Sequence, residues 1–391
     1  MLSRRKLITT SAIAIASTLP ALKAAAKGLD LDVEPRGTMG IFERLPNLRL
    51  ESELDFYTSY RTWVREDVFR LAAKRAAEIF EANGIHPHDN DVPIRDVVKL
   101  LENDPIIGYT VHARETTQQI MWHAIRDAYH ADADQYLDEL EAAQKQGPGT
   151  ITLRPEMHTP DWAKYEIHLQ PGGYTGDPFA GYIYYHGLNV EFADGNYHDE
   201  LQGGRAADVP APADGKVRRV LDQGCSSGQL VLALKRKWPQ AEVWGNDIGA
   251  PMLRFAHMRS VDLGVETHYT HELCEQTSFP DNHFDVITNF LLYHETPETA
   301  GRAIIHEAFR TLRPGGVWYP MDIYTATDPP ESAYRKFSSW YNHRWNAEVW
   351  WLEYRDYARD IPNEMRRAGF EVVRTNGGRN GPGNLMGIKP A

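Results

Sequence analysis

Two acids and two glycines in the second half of the chain have the spacing of a ligand-binding turn. Asp222 ends an apolar segment, and Gly224 and Gly228 follow it in the stretch VRRVLDQGCSSGQLVLAL. Asp247 ends the next apolar segment. Glycines without a Cβ let a ligand approach the backbone, and an acid at the end of a second strand can accept both hydroxyls of a ribose. The pattern therefore predicts an adenosyl ligand that lacks a pyrophosphate.

The same spacing excludes two common phosphate-binding loops. A G-x-G-x-x-G dinucleotide fingerprint that started at Gly224 would need glycines where Ser226 and Gln229 stand. A P-loop would need lysine and then serine or threonine after Gly228, where Gln229 and Leu230 stand. NAD and ATP bound through these motifs are therefore excluded.

Alternating strands and helices from residue 217 onward must position these residues. Short β-branched and apolar runs predict strands over 217–222, 241–246, 267–271, 284–290 and 317–324, and near 370–375 and 384–388. Alternation of this kind implies an α/β fold with a parallel sheet covered on both faces. Ligands of such sheets bind at the carboxyl ends of the strands.

Four segments resemble the motifs of class I S-adenosylmethionine-dependent methyltransferases: VLDQGCSSG, VWGNDIGAPMLRFA, EQTSFPDNHFDVITNFLLYHE and EAFRTLRPGG. Their order and spacing agree over residues 217–322, and the chain is similar in particular to the group that includes the quinone-biosynthesis methyltransferases. The resemblance implies a Rossmann-like, seven-stranded sheet with its last strand antiparallel. It also implies S-adenosyl-L-methionine as cofactor and methyl transfer to a small organic acceptor. The alternative is a non-catalytic binding or assembly protein that has kept this fold.

The resemblance further assigns cofactor-binding residues by position. They are Asp222, Gly224, Gly228, Asp247, Ile248, Met252, Glu275, Asn289 and Phe290. The glycines would line the methionine part, Asp247 would hold the ribose, and Glu275 would lie near the adenine amino group. The chain departs from the family at two of these places. Around Glu275, CEQTSF replaces a Leu-Pro pair, and in the glycine-rich turn Gln223 replaces a more usual apolar residue.

His294 is the candidate catalytic residue. It stands in LLYHE just beyond the fourth strand, where it could remove a proton from an oxygen or nitrogen acceptor or orient that acceptor. The alternative is a histidine that caps the following turn or bonds to Glu295. The same two interpretations, a role in the reaction or a structural role in the turn, apply to Tyr293 and Glu295. Tyr293 is the first substrate-binding candidate.

An aromatic segment of about residues 331–357 supplies the other substrate-binding candidates, Trp340 and Trp345. Insertions at this place in the fold commonly form part of a lid, and concave apolar sites bind small organic ligands. The alternative is that these aromatic residues pack in the core against the N-terminal helices.

The remaining chain divides into four further segments. Residues 1–27 resemble a twin-arginine signal, with Arg4 and Arg5 before a modest apolar run and an alanine-rich cleavage site at Ala24–Ala26. Residues 28–49 form a linker, 50–147 a helical domain and 148–214 a loop-rich connector, before the methyltransferase domain at 215–391. The signal predicts export to the periplasm, and the alternative is a cytoplasmic enzyme with an unprocessed arm, since S-adenosylmethionine is made in the cytosol.

The composition and net charge of the chain limit the classes of partner that it can bind. The chain has 391 residues, 42% of them hydrophobic, and a net charge of −12, which argues against nucleic acid or an anionic membrane as the main partner. Past the signal, no segment is apolar for long enough to span a bilayer. Cys225 and Cys274 occur in no metal-ligand spacing and are predicted to be free thiols. The histidines of the connector match no metal-ligand pattern either, so no metal is predicted.

Overall fold

The computed structural model describes residues 38–39, 41–43, 45, 48–189, 196–322, 331–375 and 385–391. The predicted signal at 1–27 lies outside the described residues. The chain divides into two compact units, Met1–Phe56 and Tyr57–Ala391. The first unit contains an antiparallel pair, β1 (Thr38–Met39) with β2 (Phe42–Glu43).

Helices dominate the segment predicted to be helical. They are α1 (Leu48–Trp63), which crosses the boundary between the units, α2 (Phe69–Ala82), α3 (Ile94–Leu101), α4 (Pro105–Ala131) and α5 (Ala133–Gln144). A π-helical turn at Val64–Val68 joins the first two. The Asp104 carboxylate caps α4, since it accepts the N–H groups of Ile106 and Ile107 ahead of the turn that Pro105 starts.

Two helices lie in the predicted connector, α6 (Ala180–Gly187) and α7 (Glu200–Asp208). The predicted methyltransferase domain holds α8 (Gln229–Lys237), α9 (Ala250–Asp262), α10 (Glu298–Thr311), α11 (Ala333–Trp345), α12 (Trp351–Tyr357) and α13 (Ile361–Ala368). None of the helices within the described ranges is both long enough and apolar enough to cross a membrane.

The main sheet confirms the predicted α/β fold and its seven strands. These are β4 (Arg219–Gln223), β5 (Glu242–Asp247), β6 (His268–His271), β7 (Phe284–Phe290), β8 (Leu312–Met321), β9 (Glu371–Arg374) and β10 (Leu385–Ile388). The strands β4 to β8 run parallel, and the last strand, β10, is antiparallel to both of its neighbours.

An eighth strand, β3 (Thr150–Thr152), was not expected. It pairs parallel with β6 at the sheet edge, which gives the order β3-β6-β5-β4-β7-β8-β10-β9. The sheet therefore has one edge strand in addition to the seven expected. A three-residue Thr-Ile-Thr segment has no periodicity to distinguish it from a loop, and only its pairing with β6 makes it a strand.

The apolar core lies on both faces of this sheet. Val220 packs in one cluster with Val243 and Tyr269, whereas the next residue, Leu221, packs in a second cluster with Ile287 and Trp318. Consecutive residues of a strand point to opposite faces, so continuous apolar strands bury both sides. The parallel pairing of β4 with β5 and β7 brings the carboxyl ends of these strands together.

Candidate functional site

A cavity of about 410 Å³ opens at the carboxyl ends of β4, β5 and β7. Eight of the predicted site residues line it: Asp222, Gly224, Asp247, Ile248, Met252, Glu275, Phe290 and His294. They come from four separate stretches of sequence, and the sheet register places β4 residue Gln223 beside Asn246 of β5 and Asn289 of β7. The location agrees with the rule that parallel sheets bind ligands at the carboxyl ends of their strands.

The turn after β4 needs glycine at two positions, for different reasons. Gly224 has φ +66°, and a Cβ there would lie 2.7 Å from a methyl carbon of Leu292, so only glycine allows this wall of the cavity. Gly228 has φ +75° but does not line the cavity, and a Cβ there would lie 2.7 Å from Ala256 Cβ. The structure therefore gives Gly228 a packing role against α9, where the resemblance implied contact with the cofactor.

Asp222 is a buried acid with an unpartnered oxygen. The residue is 2% exposed, and its Oδ1 atom has no hydrogen-bond partner among the described residues. Burial, followed by the charge of Asp247, raises the pKa of Asp222 well above its ordinary value. A cationic ligand group would supply the missing partner.

Asp247 holds the glycine-rich turn closed. Its Oδ2 accepts the N–H of Ser226 at 2.8 Å, and its Oδ1 accepts the N–H of Gly249 at 2.7 Å. Burial raises the pKa of Asp247, although these two hydrogen bonds act in the opposite direction. Each carboxylate oxygen has a second lone pair, so Asp247 can still accept ligand hydroxyls.

His294 is paired with an acid that the sequence interpretation did not find. Its Nδ1 lies 2.7 Å from Oδ1 of Asp322, directly after β8, while the other oxygen of Asp322 accepts the N–H of Tyr293. Burial lowers the pKa of His294, but the charge and hydrogen bond of Asp322 outweigh it and the net pKa is raised. The Nε2 atom, 3.9 Å from Glu295 Oε1, is left for a ligand. The alternative of a His294–Glu295 hydrogen bond is therefore not what the geometry shows.

A second polar cluster faces the same cavity from the connector. His168 Nε2 lies 2.8 Å from Oε1 of Glu295, and the Tyr174 hydroxyl donates to the same oxygen at 3.2 Å. Burial raises the pKa of Glu295, but the hydrogen bond and charge of His168 outweigh it, so the pKa is lowered and the carboxylate is ionised. Asn346 and Glu348 line the cavity beside them. The only sequence signal for these residues was the density of histidine and tyrosine in the connector.

Besides Gly228, four predicted site residues do not line the cavity. Asn289 and Tyr293 are completely buried beneath it. Trp340 and Trp345 belong to a core cluster between α11 and helices α2 to α4, and the Arg114 guanidinium lies 4.0 Å from the Trp345 ring centroid. The structure thus supports the core alternative for the aromatic segment, because an amphipathic helix shows the same pattern whether it covers a ligand or another helix.

The two cysteines are free thiols, as expected, and both line the cavity. Burial raises the pKa of each thiol well above its ordinary value, so neither is an activated nucleophile. Among the described residues, no group of three His, Cys, Asp or Glu side chains could hold a metal ion.

An adenosyl sulfonium ligand fits this set of groups. Ile248 and Met252 provide apolar contact for an adenine ring, while Asp222 offers a buried oxygen without a partner. The cavity wall has an acidic character suited to a cation, from Asp222, Asp247, Glu275 and Glu295.

Sequence comparisons match this chain to methyltransferases. The family described as "Methyltransferase domain" matches residues 220–316. The ubiquinone/menaquinone biosynthesis C-methyltransferase of Paraburkholderia phymatum is 36% identical over 197 residues, covering 45% of this chain and 79% of that one. The corresponding Burkholderia orbicola enzyme is 36% identical over 171 residues, covering 40% and 68%. The solved structure of Haemonchus contortus phosphoethanolamine N-methyltransferase 2 in complex with S-adenosyl-L-methionine is 15% identical, covers 55% and 58%, and has a TM-score of 0.38.

Proposed function

Because this chain belongs to the class I S-adenosylmethionine-dependent methyltransferases, we propose that it methylates a small acceptor bearing an acidic hydroxyl group, with His294 as the general base. The observation that carries the proposal is the His294–Asp322 pair at the cavity wall, 2.7 Å between Nδ1 and Oδ1. A histidine whose Nδ1–H is held by a carboxylate presents Nε2 as a proton acceptor.

Residues of the glycine-rich turn hold the cofactor. When bound, S-adenosylmethionine supplies an electrophilic methyl carbon on a sulfonium sulfur. We propose that Asp222 binds a cationic part of that ligand and that Asp247 accepts its ribose hydroxyls, while Ile248 and Met252 contact the adenine. Gly224 forms part of this wall. A side chain there would collide with Leu292, which occupies the place of the missing Cβ.

The proton leaves the acceptor toward His294. Nε2 takes the hydroxyl proton as the oxygen becomes nucleophilic, and the negative charge of Asp322 stabilises the imidazolium that forms. The ionised Glu295, held by His168 and Tyr174, lies beside this path and favours the same positive charge. Burial of the cluster excludes water, which strengthens each of these interactions.

The acceptor we propose is a phenolic ring. The relatives named above are C-methyltransferases of ubiquinone and menaquinone biosynthesis. Removing the proton of a ring hydroxyl makes both the oxygen and the neighbouring ring carbons more nucleophilic, so one base serves either outcome. Phe290, Leu292, Trp122 and Trp162 line the cavity and suit an aromatic ligand.

The test compares His294→Asn and Asp322→Asn with wild type. The probe is methyl transfer from labelled S-adenosylmethionine to a demethylated hydroquinone. Asparagine at 294 can still donate to Asp322 but cannot take a proton, so we expect kcat to fall roughly 10²- to 10⁴-fold and the S-adenosylhomocysteine Kd to stay unchanged. The exposed His112→Asn, whose side chain is 75% exposed, is the matched control.

The pH profile separates a base from a structural histidine. Because His294 must be deprotonated, wild-type kcat should rise with pH through a pKa above the ordinary value for histidine. Asp322→Asn removes the charge that raises this pKa, so the rising limb should move to lower pH. Full activity of His294→Asn would overturn the proposed base. Cofactor binding without any methyl transfer would instead favour the non-catalytic alternative.

For the N-terminus we propose export through a twin-arginine signal at residues 1–27, supported by Arg4, Arg5 and the site at Ala24–Ala26. The rival is a cytoplasmic enzyme, since its methyl donor is made in the cytosol. The test is fractionation of the native protein beside an Arg4→Lys, Arg5→Lys variant, with sequencing of the mature N-terminus. A full-length cytosolic chain that is indifferent to the change would refute export.

A further inference from the structure

Arg205 is a cation in the cavity wall that the mechanism above does not use. It lies on α7 (Glu200–Asp208), outside the matched family region of 220–316. Its side chain lines the cavity, and its guanidinium lies 5.2 Å from the ring centroid of Phe290, at the end of β7. Arg205 is therefore close to the place where the strand ends carry the cofactor-binding residues.

The guanidinium of Arg205 makes no direct ion pair in the described part of the chain, although Asp208 acts on it through its charge. Within those ranges it forms no ion pair or hydrogen bond, and its Nε atom is buried without an acceptor. Burial lowers the pKa of Arg205, and Asp208 and Tyr319 oppose this effect only in part. Arg259, on α9, contrasts with it, since its Nη2 lies 3.4 Å from Oδ2 of Asp199. Because the half-buried Arg205 keeps its Nε atom buried without an acceptor among the described residues, a ligand anion would satisfy that atom.

An acid and a cation of the cavity wall each have a buried side-chain atom without a hydrogen-bond partner among the described residues. Asp222 has a buried oxygen without a hydrogen-bond donor, and Arg205 has a buried Nε without an acceptor. We infer that Arg205 is the carboxylate-binding residue of this cavity. A guanidinium binds a carboxylate through two parallel hydrogen bonds, and the face of Phe290 holds the guanidinium plane in place.

Two sources of that carboxylate have the same chemistry. One is the amino-acid end of the methyl donor, whose ammonium group would bind Asp222 while its carboxylate binds Arg205. The other is an acidic group on the acceptor. The inference deepens the proposed function and rests on it, because it concerns the same cavity.

The first arm of the experiment tests the donor. S-adenosylhomocysteine and 5′-methylthioadenosine, which lacks the amino-acid end, are titrated by calorimetry into wild type and Arg205→Gln. If the donor supplies the carboxylate, the variant should bind S-adenosylhomocysteine roughly tenfold to a hundredfold more weakly. Its affinity for 5′-methylthioadenosine should not change.

The second arm tests an acidic acceptor. Each protein is saturated with S-adenosylhomocysteine and titrated with benzoate and with benzamide, its neutral counterpart. If the acceptor supplies the carboxylate, wild type should prefer benzoate, and Arg205→Gln should lose that preference. The exposed Arg236→Gln, on α8, controls for a general loss of positive charge. Arg205→Lys keeps the charge without the planar fork and should show a smaller loss, which serves as the readout should the glutamine variant fail to fold.

The results of the two arms distinguish the inference about Arg205 from the proposed function. A changed ratio in either arm supports the inference and identifies the source of the carboxylate. Two unchanged ratios, with both variants folded, would overturn it. Failure of wild type to bind S-adenosylhomocysteine at all would overturn the proposed function instead, so the two failures are distinguishable.

Discussion

Replacing Asp222 with asparagine should stabilise the free protein and weaken donor binding at the same time. The substitution keeps the shape of the side chain but removes a buried charge whose Oδ1 has no partner among the described residues. An unsatisfied buried group costs about 1–3 kcal/mol and more when it is charged, so removing the charge should recover an amount of that size where Asp222 is ionised. For the unit Tyr57–Ala391, a gain of that size corresponds to a rise in melting temperature of about 1–4 °C.

The effect should depend on pH with a defined sign. Because burial and Asp247 raise the pKa of Asp222 in the folded state, the folded protein binds this proton more tightly than the unfolded chain does. The resulting stability is complete below the unfolded pKa and is lost as pH rises through the raised folded pKa. Asp222→Asn has no such proton, so the difference in melting temperature between variant and wild type should grow across that window and then level off.

Thermal unfolding across pH and calorimetry with S-adenosylhomocysteine together test this reasoning. Loss of the charged partner should weaken ligand binding by about 1.5–3 kcal/mol, or roughly tenfold to 150-fold. Asp127→Asn is the control, since that carboxyl is 72% exposed. A variant that melts no higher than wild type at any pH and binds the ligand with wild-type affinity would refute the account of Asp222.

Three further substitutions separate binding from packing. Asp247→Ala should weaken S-adenosylhomocysteine binding by about 1–3 kcal/mol, and it should also lower the melting temperature because Ser226 loses its acceptor; an unchanged Kd would remove Asp247 from the site. Gly228→Ala should lower the free energy of unfolding in urea by about 2–4 kcal/mol, because the position has a positive φ and a new Cβ would crowd Ala256. A variant as stable as wild type would contradict this. Trp345→Ala should lower the free energy of unfolding by about 3–5 kcal/mol without changing the affinity for the donor. Impaired acceptor methylation in a variant of wild-type stability would instead support the lid interpretation.

The amino-acid sequence determined the elements that depend on local pattern. Seven strands were located because apolar runs of four to ten residues are bounded by turns, and the glycine-rich turn with Asp222 and Asp247 was found because strand ends fix its spacing. His294 was identified for the same reason, since it lies just beyond the end of β7. Each of these signals needs only residues that are neighbours along the chain.

Only the tertiary structure decided which distant residues complete the site. His168 meets Glu295 across 127 residues of sequence, and Asp322 meets His294 across 28. Arg205 reaches the cavity from a helix that precedes the matched family region. No local pattern distinguishes such residues from other surface or core side chains, because their partners are set by how the connector and helices pack on the sheet. The aromatic segment shows the same limit. Its sequence left open whether Trp345 lines a lid or packs in the core, and the helices packed against it make it core.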